Sequence, residues 1–192
     1  LTADSRQVRP GWLFLALRGR RLDARTLVPA VAAQGAVAVL AESGVSGEES
    51  GIPVVAVPDL PARLGEIASR FHGCPGQSLR VVAVTGTNGK TSTAQLLAHA
   101  CDYLDMRSAV LGTLGNGLVG EMKPSTHTTL DAVQLQEHLA RFRDAGATVV
   151  AMEASSHGLE QGRLNATPIT TAIFTNLTRD HLDYHGHMNA YR

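Results

Sequence analysis

Lys90 stands behind Gly86-Thr87-Asn88-Gly89 and ahead of Thr91-Ser92, the order in which a polyphosphate is held. Glycines at such a turn let backbone N–H groups face phosphate oxygens, and a helix starting there adds positive potential. The Lys90 ammonium then reaches the outer phosphates, and the Thr91 hydroxyl suits coordination of Mg²⁺. Val84 occupies the first glycine position of the longer phosphate-loop pattern, so the motif reduces to its short form, Gly-Thr-Asn-Gly-Lys-Thr-Ser. The competing interpretation is a tight strand-to-helix turn with a surface lysine. Strand, glycines, Lys, Thr and helix all fall in the order nucleotide binding requires, which favours the first reading.

Other side chains can join this chemistry. Glu153 follows an apolar run at the expected carboxyl edge of a sheet, where ligands of open α/β sheets bind. A carboxylate there can hold Mg²⁺ directly or through water, although taken alone it reads as a cap or a surface acid. His181, His185 and His187 suggest zinc by composition, but Leu182 excludes the His-Glu-x-x-His pattern and no cysteine is near. Thr128 and Thr129 precede a helix expected from about Leu130. Either hydroxyl can cap it, which leaves the other spare. Gln161 and Arg163 read by themselves as surface residues. Gly115-Asn116-Gly117-Leu118-Val119-Gly120 matches a dinucleotide fingerprint, but Pro124 and the short stretch before it forbid the helix that motif needs. Asn116-Gly117 is read instead as a hairpin turn.

Short elements must carry these groups. Strands are expected at 13–17, 36–41 and 53–57, and helices at 27–34 and 59–71, the latter with Leu60, Leu64, Ile67, Ala68 and Phe71 near helical spacing. His72-Gly73-Cys74-Pro75-Gly76 breaks that pattern and sets a domain boundary. The run 79–84 is apolar throughout, as in a strand buried on both faces. Helices follow at about 90–104 and 130–145, with strands at 148–152 and 170–174. Strands alternating with helices of this length imply a parallel sheet. The expectation is therefore α/β: a small N-terminal domain over 1–76 and a phosphate-loop domain with a mostly parallel sheet over 77–192. No repeat is visible, and the one biased segment is the Gly/Ser-rich loop 43–51.

Composition narrows the class. The 192 residues are 44% hydrophobic and 18% charged, ordinary for a chain with a buried core. A formal net charge of zero and 4% aromatics favour neither nucleic acid nor a membrane surface. No apolar run approaches the roughly 20 residues of a membrane helix, and no signal peptide opens the chain. Cys74 and Cys101 lie far apart and read as reduced thiols of a cytoplasmic protein. The chain begins without Met and stops within a polar segment, which reads as part of something longer.

Four segments together resemble the Mur ligase family, and within it the branch that adds an amino acid to UDP-N-acetylmuramoyl-L-alanyl-D-glutamate. They are the phosphate loop, Thr128-Thr129, Glu153-Ala154-Ser155-Ser156-His157-Gly158-Leu159, and the run from Phe174 through Arg179-Asp180-His181-Leu182-Asp183-Tyr184-His185-Gly186. Asp4-Ser5-Arg6 and the stretch 13–25 are similar to that branch's UDP-binding domain. The resemblance implies a three-domain ligase using ATP and Mg²⁺, with the N-terminal domain and part of the central ATPase domain in this chain. It implies nucleotide contacts from Gly86, Thr87, Asn88, Gly89, Lys90, Thr91, Ser92 and Asn176. Lys90, Glu153 and His181 become catalytic, with Thr91, Glu153 and His181 on metal. Ser5, Arg20, Thr128, Thr129, Ser155, Gln161 and Arg163 become contacts to the UDP-muramoyl peptide. His127, Arg20-Arg21-Leu22 and Ala24 depart from the residues common at those positions. The expected second substrate is a diamino acid, meso-diaminopimelate or L-lysine. The expected setting is a cytoplasmic monomer that binds no nucleic acid and does not insert in a membrane. A carbamylated lysine and a C-terminal domain are expected beyond this chain, leaving the chain alone inactive.

Overall fold

In the computed structural model, residues 1–19, 22–42, 50–125 and 127–192 are described. Arg20, Arg21 and most of the Gly/Ser-rich loop lie outside them.

The first unit is a three-stranded parallel sheet of β1 (Leu13–Ala16), β2 (Ala38–Ala41) and β3 (Val54–Ala56), in that order. Its helices are α1 (Val28–Ala33) and α2 (Leu60–Phe71). Phe14, Ala16, Val39 and Ala41 bury one face of the sheet against Val28 and Val31 of α1. Each helix carries proline in its first turn, where the missing N–H is not needed.

The second unit is a five-stranded sheet. Its strands are β4 (Arg80–Thr85), β5 (Ser108–Gly112), β6 (Gly115–Leu118), β7 (Val149–Glu153) and β8 (Ile169–Phe174), ordered β6-β5-β7-β4-β8. All neighbours are parallel except β5 and β6. The helices are α3 (Lys90–Tyr103), α4 (Ala132–Asp144) and the short α5 (Ser156–Glu160), α6 (Leu182–His185) and α7 (Met188–Tyr191). Leu135, Leu139 and Phe142 of α4 pack on Val81, Ala83, Val150 and Met152. Ala94 and Ala98 of α3 pack on Val84, Val110 and Ala151 on the other face. Covering both faces is why β4 and β7 are apolar runs rather than alternating ones. No helix among the described residues is long and apolar enough to cross a membrane.

Two local expectations are corrected. The hairpin of β5 and β6 turns at Thr113-Leu114, and Asn116-Gly117 lies within β6. The Asn116 side chain accepts from Gly112 N at 3.1 Å and its backbone pairs with Lys123, so two chain segments hold it extended. Neither Thr128 nor Thr129 caps α4: Asp131 does, accepting from Val133 N and Gln134 N at 2.9 Å. An aspartate at the position where the chain enters the helix presents an ionised acceptor to the free N–H groups, which a hydroxyl one turn earlier does not.

The units pack directly. Leu15 and Ala68 share a buried cluster with Val133 of α4. Arg143, in the last turn of α4, donates from Nη1 to His72 O at 3.0 Å and Gly73 O at 3.3 Å, placing a cation on the carbonyl end of α2.

Candidate active site

Because β4, β5, β7 and β8 are mutually parallel, their carboxyl ends lie along one edge. That edge opens into a cavity of about 740 Å³, lined by the loop 85–91 and by Thr113, Thr128, Glu153, Arg163 and His181 among others.

The loop is built by close approach. Gly86 has φ +123° and Gly89 φ +86°, and a Cβ on Gly86 would stand 2.2 Å from Thr175 Oγ1. Thr175 donates to Asn88 O at 2.7 Å. The Asn176 amide makes a two-way pair with the Asn88 backbone, accepting from N at 3.1 Å and donating to O at 3.0 Å. Asn176 was expected as a nucleotide contact; its side chain instead faces the loop backbone and stays outside the cavity lining. Lys90 Nζ folds over the loop, donating to Gly86 O at 2.6 Å and Thr87 O at 2.8 Å. Its ammonium therefore rests on two carbonyl oxygens of the loop. Ser92 is exposed on α3 and does not line the cavity.

Glu153 ends β7 with only 3% of its surface exposed. Its Oε2 accepts from Thr91 Oγ1 at 2.9 Å and from Thr113 Oγ1 at 3.2 Å, and its Oε1 from Thr113 N at 2.7 Å. The carboxylate lies over Gly112, where a Cβ would stand 2.2 Å from Oε1. Thr91 and Glu153 thus present hard oxygen donors side by side, the kind Mg²⁺ takes while keeping water or phosphate in its other positions. They fit that ion. His181 lines the same cavity, but no three His, Cys, Asp or Glu residues converge as a ligand set among the described residues.

Thr129 and Ser155 are tied to the scaffold. Thr129 Oγ1 donates to Glu153 O at 3.0 Å, accepts from Ser155 N at 3.0 Å and lies 3.0 Å from Ser155 Oγ. Ser155 caps α5, accepting from Gly158 N at 3.2 Å. Thr128 is freer, with its hydroxyl 3.1 Å from Thr113 Oγ1. Arg163 donates to Thr129 O at 2.8 Å and through Nε and Nη2 to Gln161 Oε1 at 3.0 and 2.6 Å. Gln161 in turn donates to Tyr184 OH at 3.0 Å.

A second cavity of about 930 Å³ lies between the units, reaching from Ser5 and Leu22 to Gln161 and Arg163. His127 and Arg163 line both cavities, so the two adjoin there. Beside the first lies an aromatic cluster: the His157 ring is 5.0 Å from His181, 5.4 Å from His185 and 4.0 Å from Tyr184. Burial, and then the neighbouring His181 and His185, hold His157 below the ordinary histidine value. Tyr191 OH reaches Thr87 Oγ1 at 3.0 Å and ties this cluster to the phosphate loop.

Sequence reasoning missed Gly112, Thr113, Thr175 and Tyr191. The signal for the first two was a Gly-Thr pair closing a buried strand at the ligand edge, but β5 itself was not anticipated. Arg20 lies outside the described residues.

The chain is similar to known proteins along its whole length. A family profile described as Mur ligase middle domain matches residues 84–192, and one described as Mur ligase family, catalytic domain, matches residues 1–72. A Pseudomonas aeruginosa UDP-N-acetylmuramoyl-L-alanyl-D-glutamate–2,6-diaminopimelate ligase is 51% identical across 100% of the chain and 40% of its own length. The Chromobacterium violaceum protein of that name is 50% identical across 98% and 39%. A solved structure of a ligase of the same name is 44% identical, with a TM-score of 0.83 over 99% of this chain and 38% of its own. The chain thus spans about 40% of the length of the curated relatives it matches.

Proposed function

We propose a function from one premise: the chain belongs to the Mur ligase family. It forms the nucleotide- and UDP-muramoyl-binding part of an ATP-dependent ligase, joining meso-diaminopimelate to UDP-N-acetylmuramoyl-L-alanyl-D-glutamate in peptidoglycan precursor synthesis. The observation that carries this is the pair of adjoining cavities, with Ser5 in one, the phosphate loop in the other, and Arg163 in both. That layout suits a long substrate with a nucleotide at one end and a reactive carboxylate at the other. Diaminopimelate is preferred over L-lysine because the relatives about 50% identical carry it in their names. The reading keeps two units, 1–76 and 77–192, and a monomer working in the cytoplasm, where ATP and UDP-linked precursors are found.

In this reading ATP's γ-phosphoryl passes to the γ-carboxylate of the D-glutamate residue. The amine of the incoming amino acid attacks the acyl phosphate, and phosphate leaves. Such transfer is served mainly by positioning and charge neutralisation. Lys90 releases the carbonyls of Gly86 and Thr87 to meet phosphoryl oxygens. Thr91 and Glu153 would hold Mg²⁺, which would supply charge neutralisation at the phosphates, and His181 would be the side chain offered to a second ion. Arg163 faces the substrate carboxylate or a phosphate, and Thr128 donates to the peptide. Ser5 meets the UDP end.

The test is a coupled assay of ADP release from the full-length protein with UDP-muramoyl dipeptide and meso-diaminopimelate. Release that depends on both substrates supports the reading. ADP release indifferent to the UDP-linked substrate sinks it. Calorimetry with Ser5→Ala separates the UDP end: unchanged affinity removes Ser5 from the contact set.

A further inference from the structure

We propose that Thr113 is a positioning residue that couples the cation end of the site to the peptide end through a relay of hydroxyl protons. The inference rests on the function proposed above, with Mg²⁺ at Thr91 and Glu153 and the muramoyl peptide at Thr128.

The Thr113 hydroxyl has two acceptors and one proton. It stands 3.2 Å from Glu153 Oε2 and 3.1 Å from Thr128 Oγ1. A hydroxyl carries one donor and two acceptor sites, so it cannot serve both neighbours as donor at once. A bare carboxylate is the stronger acceptor, because charge-assisted hydrogen bonds exceed neutral ones about twofold. Without a cation, therefore, Thr113 donates to Glu153, and Thr128 donates its own proton to Thr113. The Thr128 hydrogen is then turned away from the cavity.

A divalent cation at Oε2 reverses the order. It withdraws electron density from that oxygen, where Thr91 also donates at 2.9 Å, and lowers its value as an acceptor. Thr113 then donates to Thr128, and the Thr128 proton is released toward an oxygen in the cavity. An anionic or carbonyl oxygen of the peptide gains a donor it did not have before. The carboxylate itself stays in place through either state, because Thr113 N holds Oε1 at 2.7 Å. The backbone arm of Thr113 anchors the carboxylate, and its side chain reports what is bound there.

Coupling between two ligands is reciprocal, so it is measurable from either side. Binding of the UDP-muramoyl dipeptide to the full-length protein is followed by calorimetry with and without a non-hydrolysable ATP analogue and Mg²⁺, then in the opposite order. The parent protein shows dipeptide affinity raised on the order of tenfold by the Mg-nucleotide, within the usual range of such couplings. Thr113→Val keeps the shape and the backbone donor, and whatever each ligand's own affinity becomes, the ratio of affinities that measures the coupling falls to near one. Thr113→Ser restores it and also controls for a valine variant that folds poorly. Full coupling in Thr113→Val, or none in the parent, overturns the relay. Failure of the parent to bind the dipeptide at all overturns the functional reading, and the relay with it.

Discussion

Gly112→Ala tests whether one missing side chain keeps Glu153 where it is. The new Cβ would stand 2.2 Å from Oε1, 2.9 Å from Cδ and 3.0 Å from Cγ of Glu153, with nothing else closer. Carbon and oxygen at 2.2 Å cannot coexist, so the carboxylate must swing away. In doing so it loses the 2.7 Å bond from Thr113 N, in a side chain that is almost fully buried. A hydrogen bond to a charged group contributes about 1.5–3 kcal/mol. Crowding a packed site adds about 1–3 kcal/mol, of which the swing relieves part. The expected loss is roughly 2–4 kcal/mol, or about 5–15 °C in Tm for a domain of this size. Urea unfolding gives the energy, and ADP release should fall with it because the cation loses its carboxylate. The deciding comparison is the double variant Gly112→Ala with Glu153→Ala. Without the glutamate side chain the alanine meets no clash, and alanine is intrinsically favoured over glycine in a strand by about 0.5–1 kcal/mol. Gly112→Ala should therefore be neutral or stabilising in the Glu153→Ala background, giving an interaction energy of at least about 2 kcal/mol. An equal loss in both backgrounds would refute the steric argument.

The other predictions concern separate parts of the molecule. Lys90→Ala should lower turnover by at least about 10²–10³-fold, as loss of one transition-state charge stabiliser does, with little change in the urea midpoint, since Nζ touches only loop carbonyls. Near-normal phosphate release would remove Lys90 from the mechanism. Arg143→Ala takes the cation from the end of α2 and should destabilise by about 1–2 kcal/mol, with an unchanged midpoint as the contrary result. For pH, burial first and then Arg141 hold His138 below its ordinary value of 6.5. The unfolded chain then takes up that proton first, so stability is full above the ordinary value and falls as pH drops toward the folded value. The urea midpoint should decline on acidification from neutrality, less so in His138→Gln; a flat profile in the parent would contradict this.

What was legible in the sequence was what is decided locally. The run 79–84 reads as a doubly buried strand because both faces are covered by helices, and the glycine-lysine turn follows from chemistry within a few residues. The turn between β5 and β6 was not legible, although Asn116-Gly117 is a strong local signal. Thr113 N is held by a carboxylate 40 residues away, and Asn116 is held extended by Gly112 and Lys123. Distant partners outvote the local preference of an Asn-Gly pair. β5 was missed for a related reason: Ser108–Gly112 is short, wholly buried and without periodicity.

The hydroxyls around Glu153 show why residue type alone cannot separate what binds from what supports. Thr128 and Thr129 are the same residue at adjacent positions, and the resemblance to the family assigns both to substrate. Thr129 is buried, its one proton can satisfy the Glu153 carbonyl, and its oxygen already accepts from Ser155 N. Its Ser155 neighbour is engaged as the cap of α5. That pair fixes where Glu153 leaves β7 and where α5 begins. Thr128, one residue earlier and half-buried, meets only Thr113 among the hydrogen bonds described and lines the cavity. A hydroxyl can give to a ligand only the proton that the scaffold does not already hold. By that criterion Thr129 and Ser155 shape the site, and of the three it is Thr128 to which the proposed substrate contact belongs.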